Sequence, residues 1–196
     1  HMNAVNRGNE NSLLVCDMPF MSYSTVKDAL QNAAILMQAG AQMIKVEGGE
    51  WLAESVYKLS QRGIPVCGHV GLTPQSVNKL GGNKVQGKDK SDAEKMVKDA
   101  LILQDAGADL LVVECVPSRL GADLTSALSI PVIGIGAGPD TDGQVLVSYD
   151  MLGLSDRLPK FAKNFLNETN SVQEAITLFG NEVRNGLFPG SDNCFK

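Results

Sequence analysis

A lysine and a glutamate interrupt the apolar run MIKVE, which extends from Met43 to Glu47. Lys45 and Glu47 are two residues apart, so their side chains project from the same face of a β-strand. A lysine can bind an anionic substrate or stabilise an oxyanion, whereas a carboxylate can ligate a hard cation. The alternative is a buried ion pair between Lys45 and Glu47, and the spacing leaves both readings open.

Three further apolar runs carry a polar residue at their carboxyl ends, namely Asp17, His69 and Glu114. Asp17 and Glu47 could ligate Mg²⁺, which takes one or two protein carboxylates and keeps water; local pairing is the alternative. An apolar setting raises the pKa of a carboxyl group, so Glu114 could transfer protons, or it could cap the next helix. His69 is more typical of hydrogen-bonded packing. Since the other histidine is His1, a His-rich metal site is excluded.

The runs that carry these residues read as strands. The predicted strands are Leu13–Cys16, Met43–Glu47, Ile64–His69, Leu110–Cys115 and Pro131–Ile135, with a weaker sixth at Gln144–Ser148. Near-continuous hydrophobic runs are typical of a parallel sheet covered by helices. Ligands bind at the carboxyl ends of such strands, so we expect the polar residues to lie at the rim of a shared cavity.

Amphipathic stretches between the strands predict helices. Apolar residues from Val26 to Met37 follow the helical period, and Gly40 can end that helix. Capping boxes at Ser91–Glu94 and Ser171–Glu174 predict two helix starts, and Pro117 fits the first turn of another. The helix that begins at Ser171 follows the strands, so it is predicted to be a C-terminal helical addition.

Composition limits the class of protein. The chain has 196 residues, 43% of them hydrophobic, which predicts one domain spanning residues 1–196. A net charge of −5 without a basic run argues against nucleic-acid binding. No apolar stretch approaches the roughly 18 residues of a membrane span, and the polar start is unlike a signal peptide.

The four cysteines form no C-x-x-C pair and are predicted to be buried reduced thiols of a cytoplasmic protein, with zinc or disulfides as alternatives.

An internal repeat indicates the architecture. Gln38–Glu47 reads QAGAQMIKVE and Asp105–Glu114 reads DAGADLLVVE, so a helix end, Ala-Gly-Ala, a strand and a glutamate recur. Repeated β-α units point to a (β/α)8 barrel or a doubly wound sheet. A complete barrel usually needs about 250 residues, and only six units are counted. The chain is therefore predicted to be an open sheet or a barrel that lacks its first two β-α units.

Seven segments resemble the ketopantoate hydroxymethyltransferase family, in the family's order and over nearly the whole chain. They are DMPFMSY, KVEGGEW, PVCGHVGLTPQSVN, GGNKVQG, VVECVP, PVIGIGAGPDTDGQ and PKFAKNF, which begin at Asp17, Lys45, Pro65, Gly81, Val112, Pro131 and Pro159. The resemblance implies a (β/α)8 TIM barrel that assembles as a homodecamer and depends on Mg²⁺. It implies transfer of a one-carbon unit from 5,10-methylenetetrahydrofolate to 3-methyl-2-oxobutanoate, giving 2-dehydropantoate for pantothenate and coenzyme A biosynthesis.

The family's motifs also imply roles for individual residues. Asp17 resembles a Mg²⁺ ligand that also touches substrate, and Glu47 resembles a second Mg²⁺ ligand. Lys45 resembles the substrate-binding lysine, and Glu114 resembles the general base. His69 lies in a motif close to the site and is expected to support substrate binding.

One departure from the family pattern affects these roles. The first two β-α units, with an Asp-Ser pair that supplies another Mg²⁺ ligand and a substrate contact, have no counterpart in this sequence. We therefore expect a protein with all eight units to have an intact site, and the 196-residue chain alone not to hold metal and substrate properly; an inactive fragment is one open alternative. The remaining alternatives are a Mg²⁺-dependent C–C lyase or mutase acting on a related 2-oxo acid, and a non-catalytic structural subunit.

Overall fold

Six parallel strands form one curled sheet in the computed structural model, which describes residues 1–196. Each strand pairs with the next in chain order, and β1 and β6 do not pair with each other, so the sheet is open. The strands are β1 (Val15–Asp17), β2 (Met43–Glu47), β3 (Val66–Gly71), β4 (Leu110–Glu114), β5 (Val132–Ile135) and β6 (Gly143–Gln144).

Helices connect the strands and extend beyond them at both ends. They are α1 (Met2–Gly8), α2 (Val26–Gln38), α3 (Ala53–Ser60), α4 (Val77–Leu80), α5 (Lys90–Asp105), α6 (Ser118–Ala127), α7 (Ser148–Met151) and α8 (Val172–Arg184). Short 3₁₀ turns occupy Glu50–Leu52, Pro74–Ser76, Phe165–Glu168 and Ser191–Asn193. No helix has both the length and the apolar character needed to cross a bilayer.

The register aligns the polar strand ends. Asp17 lies opposite Lys45 in the β1–β2 pair, and Glu47 lies opposite His69 in the β2–β3 pair. Because alternate residues of a strand point to opposite faces, Val46 lies on the other face from Lys45 and Glu47. Val46 belongs to the main hydrophobic core, which includes residues of α2, α3, α5 and α6. The helices thus cover one face of the sheet, and the charged side chains share the other.

A second, smaller core holds the C-terminal part of the chain, and the predicted C-terminal helix, α8, packs in it. Phe165 packs edge-to-face on Phe179 and on Phe188, with ring centroids 5.4 Å apart in both pairs. Ala175 of α8 is fully buried in this cluster. Ser171 caps α8 by accepting a hydrogen bond from the Glu174 N–H at 3.2 Å, which confirms that helix start.

Three predictions about local structure are wrong. The sixth strand ends at Gln144, and Ser148 instead begins α7. The capping box at Ser91 does not form, because α5 already begins at Lys90 and its N-terminus receives no side-chain hydrogen bond. Pro117 precedes the first turn of α6 instead of lying within it.

The open, parallel arrangement agrees with the α/β class and with a TIM barrel represented by six of its strands. A closed barrel of this type has eight strands. The first strand reaches Asp17 and the third reaches Gly71, so both extend beyond their predicted ends. The extension of β1 makes Asp17 its last residue, and the extension of β3 moves His69 from the predicted strand end into the strand, where backbone pairing holds both residues in place.

Candidate active site

The five predicted site residues lie at the carboxyl ends of β1 to β4 and contact one another. Lys45 Nζ is 2.8 Å from Asp17 Oδ1 and 3.3 Å from His69 Nδ1. His69 Nε2 is 3.3 Å from Glu114 Oε2, and His69 Nδ1 is 3.8 Å from Glu47 Oε1. The structure therefore brings all five side chains into one cluster, which we call the charged cluster.

Lys45 is ion-paired with Asp17, so the alternative of a local Lys45–Glu47 pair is wrong. Asp17 is the most open member of the cluster, with 63% of its side chain exposed against 16% for Lys45. Solvent reaches the Asp17 carboxylate, and only one of its oxygens contacts the lysine. The exposed carboxylate is free to accept a further cation or a substrate donor.

His69 lies at the centre of the cluster and is almost completely buried. Its Nε2 is at ion-pair distance from Glu114, but the angle is outside the range of a hydrogen bond, which leaves Nε2 without a hydrogen-bond partner. Burial lowers the pKa of the imidazole, yet contacts with the Glu114 and Glu47 carboxylates outweigh burial and raise the pKa above its usual value. His69 thus links the buried Glu47 and the partly buried Glu114 electrostatically.

Glu47 is buried and held by neighbouring donors. Burial raises the pKa of its carboxyl group. Interactions with His69, the Gln75 N–H and the Lys45 ammonium lower that pKa by more than burial raises it, so the net pKa is below its usual value. The Gln75 N–H donates to Glu47 Oε2 at 2.9 Å. Glu47 is therefore ionised at neutral pH, as a metal ligand must be.

Glu114 ends β4 beside a backbone with unusual geometry. It lies opposite Gly71 in the β3–β4 register, and its carbonyl oxygen accepts the Leu72 N–H at 2.8 Å. Gly71 has φ +92°, and a Cβ there would collide with the Glu114 carbonyl oxygen. Cys115 directly after Glu114 has φ 48°, which is uncommon for a residue other than glycine. This tight packing fixes the backbone from which the Glu114 side chain projects. The Glu114 side chain is 14% exposed.

The charged cluster fits an open Mg²⁺ site better than a closed one. No group of three or more His, Cys, Asp or Glu side chains is arranged to hold a metal ion. Lys45 contacts the Asp17 carboxylate directly, and its charge also acts on Glu47. Mg²⁺ commonly takes one or two carboxylates and completes its shell with water and substrate. The donor chemistry therefore fits Mg²⁺, with most of the coordination shell left to water and substrate.

All four cysteines are free, as predicted. Cys67 and Cys115 are buried, whereas Cys16 and Cys194 are only partly buried. Desolvation raises the pKa of the Cys67 thiol to about 12, and burial beside Glu114 does the same for Cys115. The Cys67 and Cys115 thiols are therefore neutral at physiological pH and unlike metal ligands or nucleophiles.

A cavity of about 500 Å³ borders the charged cluster at His69. The turn after β2 contributes Gly48, Gly49 and Trp51, and α5 contributes Lys95 and Met96. The other four members of the charged cluster do not line this cavity. Of the five predicted residues, only His69 therefore lines this cavity, so the expectation that all five border one shared cavity is met only at His69.

Two polar residues of the site were not predicted from the sequence. Gln75 and Tyr23 both reach Glu47, although they lie in loops outside the strands. Both belong to segments that carry the family resemblance, DMPFMSY and GLTPQS, but nothing in their spacing indicates a role. Only the folded chain brings them to Glu47.

Comparisons with known proteins agree on the family. The family model for ketopantoate hydroxymethyltransferase matches residues 1–191. A 3-methyl-2-oxobutanoate hydroxymethyltransferase of Shewanella sediminis (strain HAW-EB3) is 55% identical over 197 residues, covering 100% of this chain and 75% of the relative. Its counterpart in Saccharophagus degradans (strain 2-40) is 56% identical over 195 residues, covering 100% of this chain and 72% of the relative.

Solved structures with low sequence identity share the fold. A putative phosphonomutase from Burkholderia cenocepacia J2315 has a TM-score of 0.54 at 17% identity, covering 68% of this chain and 58% of the other. The carboxyl transferase domain of Rhizobium etli pyruvate carboxylase has a TM-score of 0.57 at 14% identity, covering 95% of this chain and 37% of the other. The family match over residues 1–191 and the identities of 55–56% carry the assignment: this chain belongs to the ketopantoate hydroxymethyltransferase family.

Proposed function

We propose that the protein transfers a hydroxymethyl group from 5,10-methylenetetrahydrofolate to 3-methyl-2-oxobutanoate, giving 2-dehydropantoate for pantothenate biosynthesis. The observation that carries the proposal is the charged cluster, in which all five side chains expected from the family motifs contact one another at four strand ends. The family membership supports the reaction, and the cluster supplies groups that can carry it out.

Glu114 is the general base of the proposed reaction. Its carboxylate accepts the proton from C3 of the oxo acid, and the C–H electron pair forms the enolate. The partly enclosed position of Glu114 keeps it near the substrate, and the short approach of His69 to Oε2 orients the carboxylate. The enolate carbon then attacks the methylene carbon of the folate, and the new carbon–carbon bond forms as one carbon–nitrogen bond breaks. Water displaces the second nitrogen and supplies the hydroxyl oxygen. The two folate nitrogens take up the proton held by Glu114 and the proton released by water.

Lys45 binds the anionic substrate. Its ammonium group lies between Asp17 and His69 and can exchange its contact with the exposed Asp17 carboxylate for one with the oxo acid. A positive charge there stabilises the enolate oxyanion more than it stabilises the neutral ketone. His69 supports this arrangement by contacting Lys45 on one side and Glu114 on the other.

Asp17 and Glu47 are the proposed ligands of Mg²⁺, and Asp17 also contacts the substrate. A divalent cation held by these carboxylates would polarise the substrate carbonyl and would lower the free-energy cost of forming the enolate. Because the lowered pKa of Glu47 keeps it ionised, it can ligate the ion at neutral pH without first losing a proton.

We also propose that the protein is cytoplasmic and forms a homodecamer, as the family resemblance implies. A mass measurement by light scattering tests the assembly. A decamer supports the proposal, and a stable monomer at assay concentrations contradicts it.

The function is tested by incubating the purified protein with 3-methyl-2-oxobutanoate, 5,10-methylenetetrahydrofolate and saturating Mg²⁺. We expect 2-dehydropantoate to form, and we expect omission of either the folate or Mg²⁺ to prevent it. Consumption of the oxo acid without folate would indicate a lyase or mutase instead. The Shewanella sediminis relative serves as the reference enzyme, and absence of product from this protein alone would contradict the proposal.

A further inference from the structure

One residue ties the loop after β3 to the strand ends that carry Asp17 and Glu47. Gln75 lies in the 3₁₀ turn Pro74–Ser76, which follows β3. Its main-chain N–H donates to Glu47 Oε2 at 2.9 Å, and its Nε2 donates to the Met18 carbonyl oxygen at 2.8 Å. Gln75 thus joins the loop after β3 to the ends of β2 and β1.

Tyr23 fixes the orientation of the Gln75 amide. Its hydroxyl group donates to Gln75 Oε1 at 2.6 Å, and the Glu47 N–H approaches the same hydroxyl oxygen at 3.4 Å. If the Gln75 amide were flipped, its oxygen would face the Met18 carbonyl oxygen, which is an acceptor. Its NH₂ group would face the Tyr23 hydroxyl, which donates in the observed arrangement. Only the observed orientation therefore satisfies both ends of the amide. Because Tyr23 is buried, water does not readily replace these bonds.

The connection to Asp17 is direct along the backbone. Met18 follows Asp17, is fully buried, and donates its N–H to the Lys45 carbonyl oxygen at 3.0 Å. Its carbonyl oxygen is the acceptor for Gln75. The backbone that carries Asp17 is therefore held to β2 on one side and to Gln75 on the other.

We infer that Gln75, with Tyr23, is a positioning residue that sets the separation of the Asp17 and Glu47 carboxylates for the divalent ion. The inference rests on the proposed function and assigns roles that the family motifs did not imply. Groups that orient a metal ligand are typically worth about 10- to 100-fold in metal affinity when they are removed. A glutamine that only stabilised the loop would alter the free energy of unfolding and leave affinity unchanged.

The test compares Gln75→Ala and Tyr23→Phe with a control that loses the same kind of bond elsewhere. Asn32 Nδ2 donates to the Ser22 carbonyl oxygen at 2.7 Å, so Asn32→Ala also removes an amide-to-carbonyl bond near α2, without touching Glu47. Binding of Mg²⁺ alone is measured by calorimetry, the KM of the oxo acid by initial rates, and the unfolding midpoint by thermal melting.

We expect Gln75→Ala to weaken Mg²⁺ binding about tenfold or more and to raise the KM of the oxo acid. Tyr23→Phe should act in the same direction with a smaller effect, since it removes the hydroxyl contacts with Gln75 Oε1 and the Glu47 N–H but keeps the bond from Gln75 Nε2 to Met18. Asn32→Ala should lower the melting midpoint and leave Mg²⁺ affinity and the KM unchanged. If Gln75→Ala and Tyr23→Phe bind Mg²⁺ as Asn32→Ala does, the inference is wrong.

Folding of the variants is checked through the only tryptophan. Tyr23 stacks on Trp51 with ring centroids 6.3 Å apart and an interplanar angle of 11°. Phenylalanine keeps this stack, so Tyr23→Phe should retain the Trp51 fluorescence spectrum even if Gln75→Ala fails to fold. If the unmodified protein neither binds Mg²⁺ nor forms product, the proposed function fails and the inference falls with it. If it does both and the variants match the control, only the inference fails.

Discussion

At the scale of single residues, the pairing of charges distinguishes this site from a set of structural ion pairs. Lys45 shares its charge between the exposed Asp17 and the buried His69, and His69 in turn contacts two glutamates. Fully exposed pairs contribute little to stability, and a buried cluster of this kind is costly to desolvate. Such an arrangement is typical of a functional site, where charge positions are selected for chemistry.

The two proposed metal ligands give a prediction at this scale. Asp17→Asn and Glu47→Gln each replace an anionic oxygen ligand with a neutral amide of the same shape. We expect the Mg²⁺ concentration that gives half-maximal velocity to rise at least about tenfold in each variant.

Glu50→Gln is the matched control for this prediction. Glu50 lies in the 3₁₀ turn after β2, where its side chain is exposed and pairs with Lys98 at 3.3 Å. It is not a member of the charged cluster. Its Mg²⁺ requirement should equal that of the unmodified protein. An unchanged requirement in both ligand variants would count against ligation by Asp17 and Glu47.

The buried thiols give a pH-dependent prediction. With a pKa of about 12, Cys67 and Cys115 are neutral at pH 8, and raising the pH toward 12 forms the reactive thiolate. We expect iodoacetamide at pH 8 to modify the partly buried Cys194 and to leave Cys67 and Cys115 intact. Peptide mass mapping measures the sites, and rapid labelling of Cys67 in the folded protein would contradict its burial.

At the scale of elements, the turn after β3 determines the position of the proposed base. Gly71 adopts φ +92° and lies against the Glu114 carbonyl oxygen, so the loop can turn there only without a side chain. The same loop then reaches Gln75 and the Glu47 carboxylate. Glu47 on β2 and Glu114 on β4, the two strands that flank β3, thus depend on one turn.

Gly71→Ala tests this dependence. The added Cβ would meet the Glu114 backbone, so we expect a loss of about 1–3 kcal/mol in the free energy of unfolding and a fall in kcat. Gly63→Ala is the matched control, because Gly63 also has positive φ, +73°, but has no atom within 4 Å of an added Cβ. If both variants lose stability equally and neither loses activity, the collision at Glu114 has no functional consequence.

At the scale of the whole molecule, the sheet has six strands and two unpaired edges, and the chain spans 72–75% of the length of the curated relatives described above. The prediction that the Asp-Ser pair of the first units is missing has a measurable consequence. We expect the 196-residue chain to require more Mg²⁺ and oxo acid for half-maximal velocity than the Shewanella sediminis relative. Equal requirements would show that the pair is not needed for binding.

Much of the fold was predictable because buried parallel strands are continuous in sequence. The bounds of β2 match the prediction at both ends, and the charged residues were found because strand alternation puts Lys45 and Glu47 on one face. The sixth strand was mispredicted because Val145 and Val147 are apolar yet exposed, so their segment is not a buried strand. The role of Gln75 was unpredictable because its side chain bonds to the Met18 carbonyl oxygen, and Met18 is 57 residues away in the chain.

The central claim is that Glu114 removes the C3 proton of the oxo acid. It is tested most directly by following exchange of the C3 hydrogen of 3-methyl-2-oxobutanoate for deuterium in D₂O, by NMR, with Mg²⁺ and without folate. We expect exchange to be catalysed by the unmodified protein and by Glu94→Gln, an exposed control, and to fall about 10²- to 10⁴-fold in Glu114→Gln. Undiminished exchange in Glu114→Gln would contradict the account.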